Sequence, residues 1–196
     1  KMKKQVEEKL LQRTKKLRIG NGMDETTDIG PLINKKAVEK THYYVDIGRK
    51  EGAVLLCGGF PGKGRGFFYT PTIFTNVKPH MRIAQEEIFG PVLAIIAAEN
   101  LRDAINSCNA IDYGLSSAIY TNDIANAMQA IEHIEAGITY INSSTIGAEV
   151  HLPFGGVKGT GNGTREAGIE GIHEFSETKT VYIDYSGRLQ KAQGID

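Results

Sequence analysis

The feature that most constrains this chain is a regular alternation of short apolar runs with amphipathic stretches between residues 92 and 141. Residues 92–97 read as a strand, 101–109 as a helix and 117–120 as a strand. Residues 123–135 read as a helix that buries Ile124, Ala127, Met128, Ile131 and Ile134, and 137–141 as another strand. Helices long enough to cross a sheet let successive strands run parallel. The alternation therefore predicts βαβ units and a three-layer αβα fold with a mainly parallel sheet.

The flanking segments read less regularly. Val6, Leu10, Thr14 and Leu17 at helical spacing predict a helix over 3–17. Asn34 is a plausible N-cap for a helix carrying Val38, Tyr44 and Val45 and stopped by Gly52. Residues 53–57 form a short apolar run closed by Gly58-Gly59, as a buried strand would be. Residues 62–66 are a Gly-rich loop, and 67–77 read as an extended pair of strands interrupted at Pro71. A short helix is expected over 164–171, and residues 179–184 alternate in period two as a final strand before a polar tail. The expected organisation is one lobe over 1–177 and a terminal strand and tail over 178–196.

Composition narrows the function classes. The 196 residues carry 23 Lys+Arg against 23 Asp+Glu, so no basic footprint points to a nucleic-acid partner. No apolar run approaches the roughly 20 residues of a membrane-spanning helix, so no membrane partner is expected. Cys57 and Cys108 are too few for a disulfide framework, and no metal-ligand spacing accompanies them. A reduced, cytoplasmic setting is the expectation. The chain opens Lys1-Met2-Lys3-Lys4 without a signal-like segment, which reads as numbering that begins inside a longer chain or as a trimmed terminus.

Few motifs carry chemistry on their own. Neither Gly62-Lys63-Gly64-Arg65-Gly66 nor Gly159-Thr160-Gly161-Asn162-Gly163 has the spacing of a dinucleotide or Walker loop. The first reads as an exposed loop. The second is open between a turn packed on a neighbouring segment and one packed on a ligand. Glu86 and Glu87 precede the strand at Val92, and adjacent residues on extended backbone face opposite sides. They cannot act as one acid/base pair. One of them could accept two hydrogen bonds from a vicinal diol such as a ribose; the other reading is a charged loop entering a strand. Cys57 and Cys108 read as small buried hydrophobes, since no neighbouring base suggests activation.

The run Glu86-Glu87-Ile88-Phe89-Gly90-Pro91-Val92 resembles a block of the aldehyde dehydrogenase superfamily. Further blocks resemble it in order: Asp28-Ile29-Gly30-Pro31-Leu32, Glu51-Gly52-Ala53, Cys57-Gly58-Gly59, Phe68-Tyr69-Thr70-Pro71-Thr72, Tyr113-Gly114-Leu115-Ser116-Ser117, Ala136-Gly137-Ile138, Pro153-Phe154-Gly155-Gly156-Val157-Lys158 and Arg165-Glu166. Ile146-Gly147-Ala148-Glu149, Thr160-Gly161-Asn162-Gly163 and Asp184-Tyr185-Ser186-Gly187 look most similar to the α-aminoadipic semialdehyde, antiquitin-like branch.

The resemblance implies a C-terminal catalytic lobe of an NAD- or NADP-dependent enzyme that oxidises an aldehyde, a semialdehyde included, to a carboxylate. It implies that Glu87 holds the nicotinamide ribose and that Phe89 packs beside the nicotinamide. Phe154 would wall the aldehyde tunnel, and the backbone amides of Gly147 and Ala148 would receive a distal substrate carboxylate. The family's nucleophilic cysteine, general-base glutamate and cofactor lobe have no match here. No catalytic residue is therefore expected in this chain, and the isolated chain is expected to be inactive and to bind no cofactor. The terminal strand implies a homo-oligomer. The alternative is a non-catalytic binding or assembly module derived from the same fold.

Overall fold

The computed structural model describes residues 2–188. Helix α1 (Lys3–Thr14) ends three residues earlier than its periodicity suggests, because Lys16 and Leu17 turn back onto the carbonyls of Arg13 and Thr14. Helix α2 (Lys35–Lys50) starts as expected, with Asn34 Oδ1 accepting a hydrogen bond from the Ala37 N–H at 2.9 Å. Its buried face is Thr41, Tyr44, Val45, Ile47 and Gly48. At Gly48 a side chain would press on Phe74 and Ile83, so the glycine sets how closely α2 approaches the strands.

Strands β1 (Val54–Cys57), β2 (Thr72–Val77) and β3 (Val92–Ile96) form one mixed sheet in that order. β1 and β2 are antiparallel, whereas β2 and β3 are parallel with Thr72 opposite Val92. The one-turn helix α3 (Arg82–Gln85) lies in the connection between them. Pro71 does not interrupt a strand; β2 begins just after it. The main core gathers Tyr44, Val45, Tyr69, Phe74, Val77, Met81 and Ile83 between α2 and this sheet.

Beyond β3 come α4 (Leu101–Asn109), β4 (Tyr113–Gly114), β5 (Ser116–Ile119), α5 (Ile124–His133), β6 (Ile138–Ile141), β7 (Val157–Lys158) and α6 (Gly168–Glu174). β5 and β6 pair in parallel across α5, as the alternation requires, and β4 pairs antiparallel with β7. The expected single, mainly parallel sheet is thus corrected to three separate ladders among the described residues. Only the helical crossovers gave parallel pairs. β1 returns to β2 through a Gly- and Pro-containing loop, which suits antiparallel neighbours. No helix of the described residues is long and apolar enough to cross a membrane.

Two terminal expectations also change. The helix expected over 164–171 starts at Gly168, because Glu166 is held in a two-way backbone bridge to Phe154 and Ala167 takes a φ of 67°. Residues 179–184 form no strand, and Val181, Tyr182 and Ile183 are exposed at 63%, 93% and 71%. A two-residue period makes a strand only when it pairs with an edge, and this segment pairs with no ladder of the described residues. The tail over 189–196 lies outside the described residues.

A polar clasp ties α2 to the loop that enters β3. Arg82 Nε and Nη2 donate to the two oxygens of Glu86 at 2.5 and 2.9 Å, and Tyr44 Oη donates to Glu86 Oε2 at 2.6 Å. The Glu51 carboxylate accepts from the Arg82 N–H at 2.9 Å. The donors from Arg82, then Tyr44, hold the Glu86 carboxyl at about 2, below its usual 4.5. A depressed carboxyl contributes stability above its unfolded value and loses it as pH falls toward the folded one. Glu86→Gln should therefore lower Tm at neutral pH, with the gap to the parent closing between about pH 5 and pH 2. Thermal melts across that window check this; a gap independent of pH would refute it.

Candidate functional site

The two adjacent carboxylates divide their roles. Glu86 has extended backbone, and the clasp consumes its oxygens. Glu87 is exposed, and its carboxylate has no hydrogen-bond partner among the described residues. Its carbonyl instead accepts from Lys40 Nζ at 2.8 Å. Two residues on, Phe89 takes a φ of 53° and is 77% exposed, with Lys40 Nζ 5.6 Å from its ring centroid. Gly90 lies so close to the wholly buried Thr41 that no Cβ would fit. Loop 86–91 is therefore seated on α2 at several points while it displays one carboxylate and one aromatic ring outward.

Gly147, Ala148 and Phe154 meet elsewhere, on the excursion between β6 and β7. They line a cleft of about 290 Å³ together with Thr139, Tyr140 and Leu152. Tyr140 Oη donates to the Gly147 carbonyl at 3.2 Å, and Gly147 has a φ of 104°. The N–H groups of Gly147 and Ala148 donate to no backbone carbonyl among the described residues. Phe154 is fixed by its backbone exchange with Glu166, at 2.6 and 2.8 Å. On its other side it borders a larger cleft of about 710 Å³ with Leu115, Thr160 and Asn162. Glu87 and Phe89 line neither cleft.

The second Gly cluster packs on neighbouring backbone at Gly159 and Gly161, and Gly159, Thr160, Gly161 and Asn162 also line the larger cleft. A side chain at Gly137 would strike the Gly155 carbonyl, and one at Gly161 the Gly156 carbonyl. Lys158, with a φ of 55°, locks the stretch by donating to the carbonyls of Asn109 and Ile111 at 2.7 and 3.2 Å. Its ammonium also meets a Glu135 oxygen at 2.6 Å. In the first cluster, Gly62 and Gly66 leave room for Phe68.

Neither cysteine is poised as a nucleophile. Burial pushes the Cys57 thiol up, and its Sγ faces the Pro71 carbonyl. Desolvation of the sulfur pushes the Cys108 thiol up as well, although the residue as a whole is exposed on α4. Tyr69, hydrogen-bonded to His42 Nδ1 at 3.0 Å, is pushed up to about 12 by burial and stays protonated at neutral pH. Sequence reasoning missed Arg82, Tyr44 and Lys40. Arg82 stands four residues before Glu86, a spacing that suggests pairing on a helix; the two α2 residues lie more than forty positions away and left no local signal.

The family model described as "Aldehyde dehydrogenase family" matches residues 1–181. Betaine aldehyde dehydrogenase of Brucella anthropi is 41% identical over 181 residues, covering 90% of this chain and 37% of the relative. Alpha-ketoglutaric semialdehyde dehydrogenase of Bacillus subtilis is 41% identical over 180 residues, covering 90% and 37%. Among solved structures, an NAD-dependent aldehyde dehydrogenase from Sinorhizobium meliloti matches with a TM-score of 0.92 and 38% identity, covering 97% of this chain and 38% of that one. A Staphylococcus aureus betaine aldehyde dehydrogenase in complex with NAD+ matches with a TM-score of 0.90 and 34% identity, covering 96% and 39%. This chain thus spans little more than a third of the length of its relatives. These matches correct the narrower placements drawn from sequence. These relatives carry betaine and α-ketoglutaric semialdehyde names rather than an antiquitin-like one, and the matches place this chain in the family without assigning it to a C-terminal lobe. The chain belongs to the aldehyde dehydrogenase family.

Proposed function

We propose that this chain is part of an NAD- or NADP-dependent aldehyde dehydrogenase whose complete form oxidises an aldehyde, semialdehydes included, to a carboxylate. The observation that carries this reading is the division of labour at residues 86 and 87. Glu86 is spent on Arg82 and Tyr44, whereas Glu87 keeps both oxygens free on a seated loop. A carboxylate so presented fits the two hydroxyls of a nicotinamide ribose, and the exposed Phe89 ring fits the adjoining flat ring. When bound, such a cofactor supplies a hydride acceptor. The unpaired N–H groups of Gly147 and Ala148 suit an anionic end of the aldehyde, with Phe154 as an apolar wall. Two free thiols accord with a reducing, cytoplasmic setting.

In the complete enzyme, Glu87→Gln should weaken productive cofactor positioning by about 1.5–3 kcal/mol, since an amide replaces a charged acceptor. Steady-state kinetics in NAD and in aldehyde measure it. Glu86→Gln is the comparison, expected to act on stability first. Unchanged cofactor kinetics in Glu87→Gln would remove that residue from the site.

The isolated chain should oxidise no aldehyde and hold no NAD or NADP measurably. Its thiols are raised rather than activated. Micromolar affinity requires about 8 kcal/mol, while two charge-assisted hydrogen bonds supply about 3–6 kcal/mol before the costs of association. The assay is an aldehyde-dependent rise in reduced-nicotinamide absorbance. Turnover that vanished in Cys57→Ala or Cys108→Ala would overturn the assignment.

The chain should also self-associate. Val181, Tyr182, Ile183 and Tyr185 are exposed on a segment with strand alternation and no partner strand among the described residues. Sedimentation should show dimers or larger species, and Val181→Asp with Ile183→Asp should shift them toward monomer. A strict monomer at high concentration would refute this.

A further inference from the structure

We infer that Lys40 is a positioning residue that aims the cofactor-facing loop, an inference that rests on the cofactor reading of Glu87. Glu87 and Phe89 are both exposed, so packing of their own side chains does not fix where they point. Phe89 also holds a positive φ of 53°, a backbone state that needs support from its surroundings when the residue is not glycine.

Lys40 supplies that support from a fixed base. It follows the helical register of α2 immediately before Thr41, which is wholly buried and donates its hydroxyl to the Ala37 carbonyl at 2.8 Å. Its ammonium donates to the Glu87 carbonyl at 2.8 Å and stands 5.6 Å from the Phe89 ring centroid and 5.8 Å from that of Tyr44. One cation thus touches the backbone of the first candidate residue, the ring of the second, and a ring of the clasp that anchors Glu86. The clasp fixes the loop one residue before Glu87, and Gly90 on Thr41 fixes it three residues after. Lys40 is the tether at Glu87 itself. The task needs a rotatable donor that also carries charge: Arg can substitute for it, and Met keeps the apolar stem but loses both contacts.

The test has two arms. In this 196-residue chain, amide exchange at residues 88–90 and the Phe89 ring proton shifts are followed by NMR in Lys40→Met and Lys40→Arg, with β2 amides as the control for folding. Lys40→Met should speed exchange at 88–90 about tenfold and move the ring shifts, consistent with loss of one charged hydrogen bond. Lys40→Arg should stay near the parent. Unchanged loop exchange in Lys40→Met, with β2 protected, overturns the inference. In the complete enzyme, Lys40→Met should raise KM for NAD about tenfold and leave KM for aldehyde unchanged, with rescue by Lys40→Arg. If Glu87→Gln weakens NAD use and Lys40→Met does not, the positioning role falls and the cofactor reading stands. If the loop loosens but Glu87→Gln leaves NAD use untouched, the cofactor reading falls and takes the role of Lys40 with it.

Discussion

Burial of β2 on both faces is the constraint from which the rest of the structure follows. Five of its six residues are buried, and Phe74 is completely so. A strand covered on both sides must satisfy its polar groups internally. β2 does so with β1 on one edge, β3 on the other, and two buried threonines. The Thr72 hydroxyl accepts from the Gly59 N–H at 2.9 Å and donates to the Thr70 carbonyl at 2.8 Å. The Thr75 hydroxyl donates to Glu7 and so holds α1 against the sheet. With Thr72 opposite Val92, the entry to β3 is fixed in register, and so is the position of Glu87 five residues earlier. The geometry of the candidate cofactor loop is thus set by a strand that lies outside the loop.

What could be read from sequence follows the range of the interactions involved. α2 was legible from its local start signal, Asn34, and α4 and α5 from their place in the alternation; Asn34, Asn100 and Asp123 all cap their helices with side-chain oxygens. β3, β5 and β6 were legible as apolar runs between helices. Pairing was not. Periodicity marks a strand but does not name its neighbour, so three short ladders stand where one sheet was expected. The terminal segment failed for the same reason, since its alternation is real and it pairs with no strand among the described residues. At the site, the alternating faces of Glu86 and Glu87 were legible, because a period of two is local. Which carboxylate turned outward was decided by Tyr44 and Arg82, and the aim of the loop involves Lys40. Two of those three residues lie on another element.

The glycines of the second half show how such a chain places an aromatic side chain and two N–H groups, unpaired among the described residues, on one excursion. After β6 the backbone leaves through Asn142, at a φ of 55°, and returns at Phe154. It must then pass directly over the start of β6, where Gly137 has no space for a side chain beneath the Gly155 carbonyl. Lys158 closes the crossing by drawing the end of α4 and Glu135, two residues past α5, onto β7. The crossing fixes Phe154, and Tyr140 on β6 fixes the Gly147 carbonyl, so both ends of the excursion are referenced to the same strand. The excursion carries Ile146 and Val150 exposed at 80% and 83%, and its middle is held by the Gly168 N–H, which donates to the Val150 carbonyl at 2.8 Å. A cleft made this way keeps Phe154 and the Gly147 and Ala148 N–H groups at a set separation. Close backbone crossing of this kind is a physical reason for the density of glycine here.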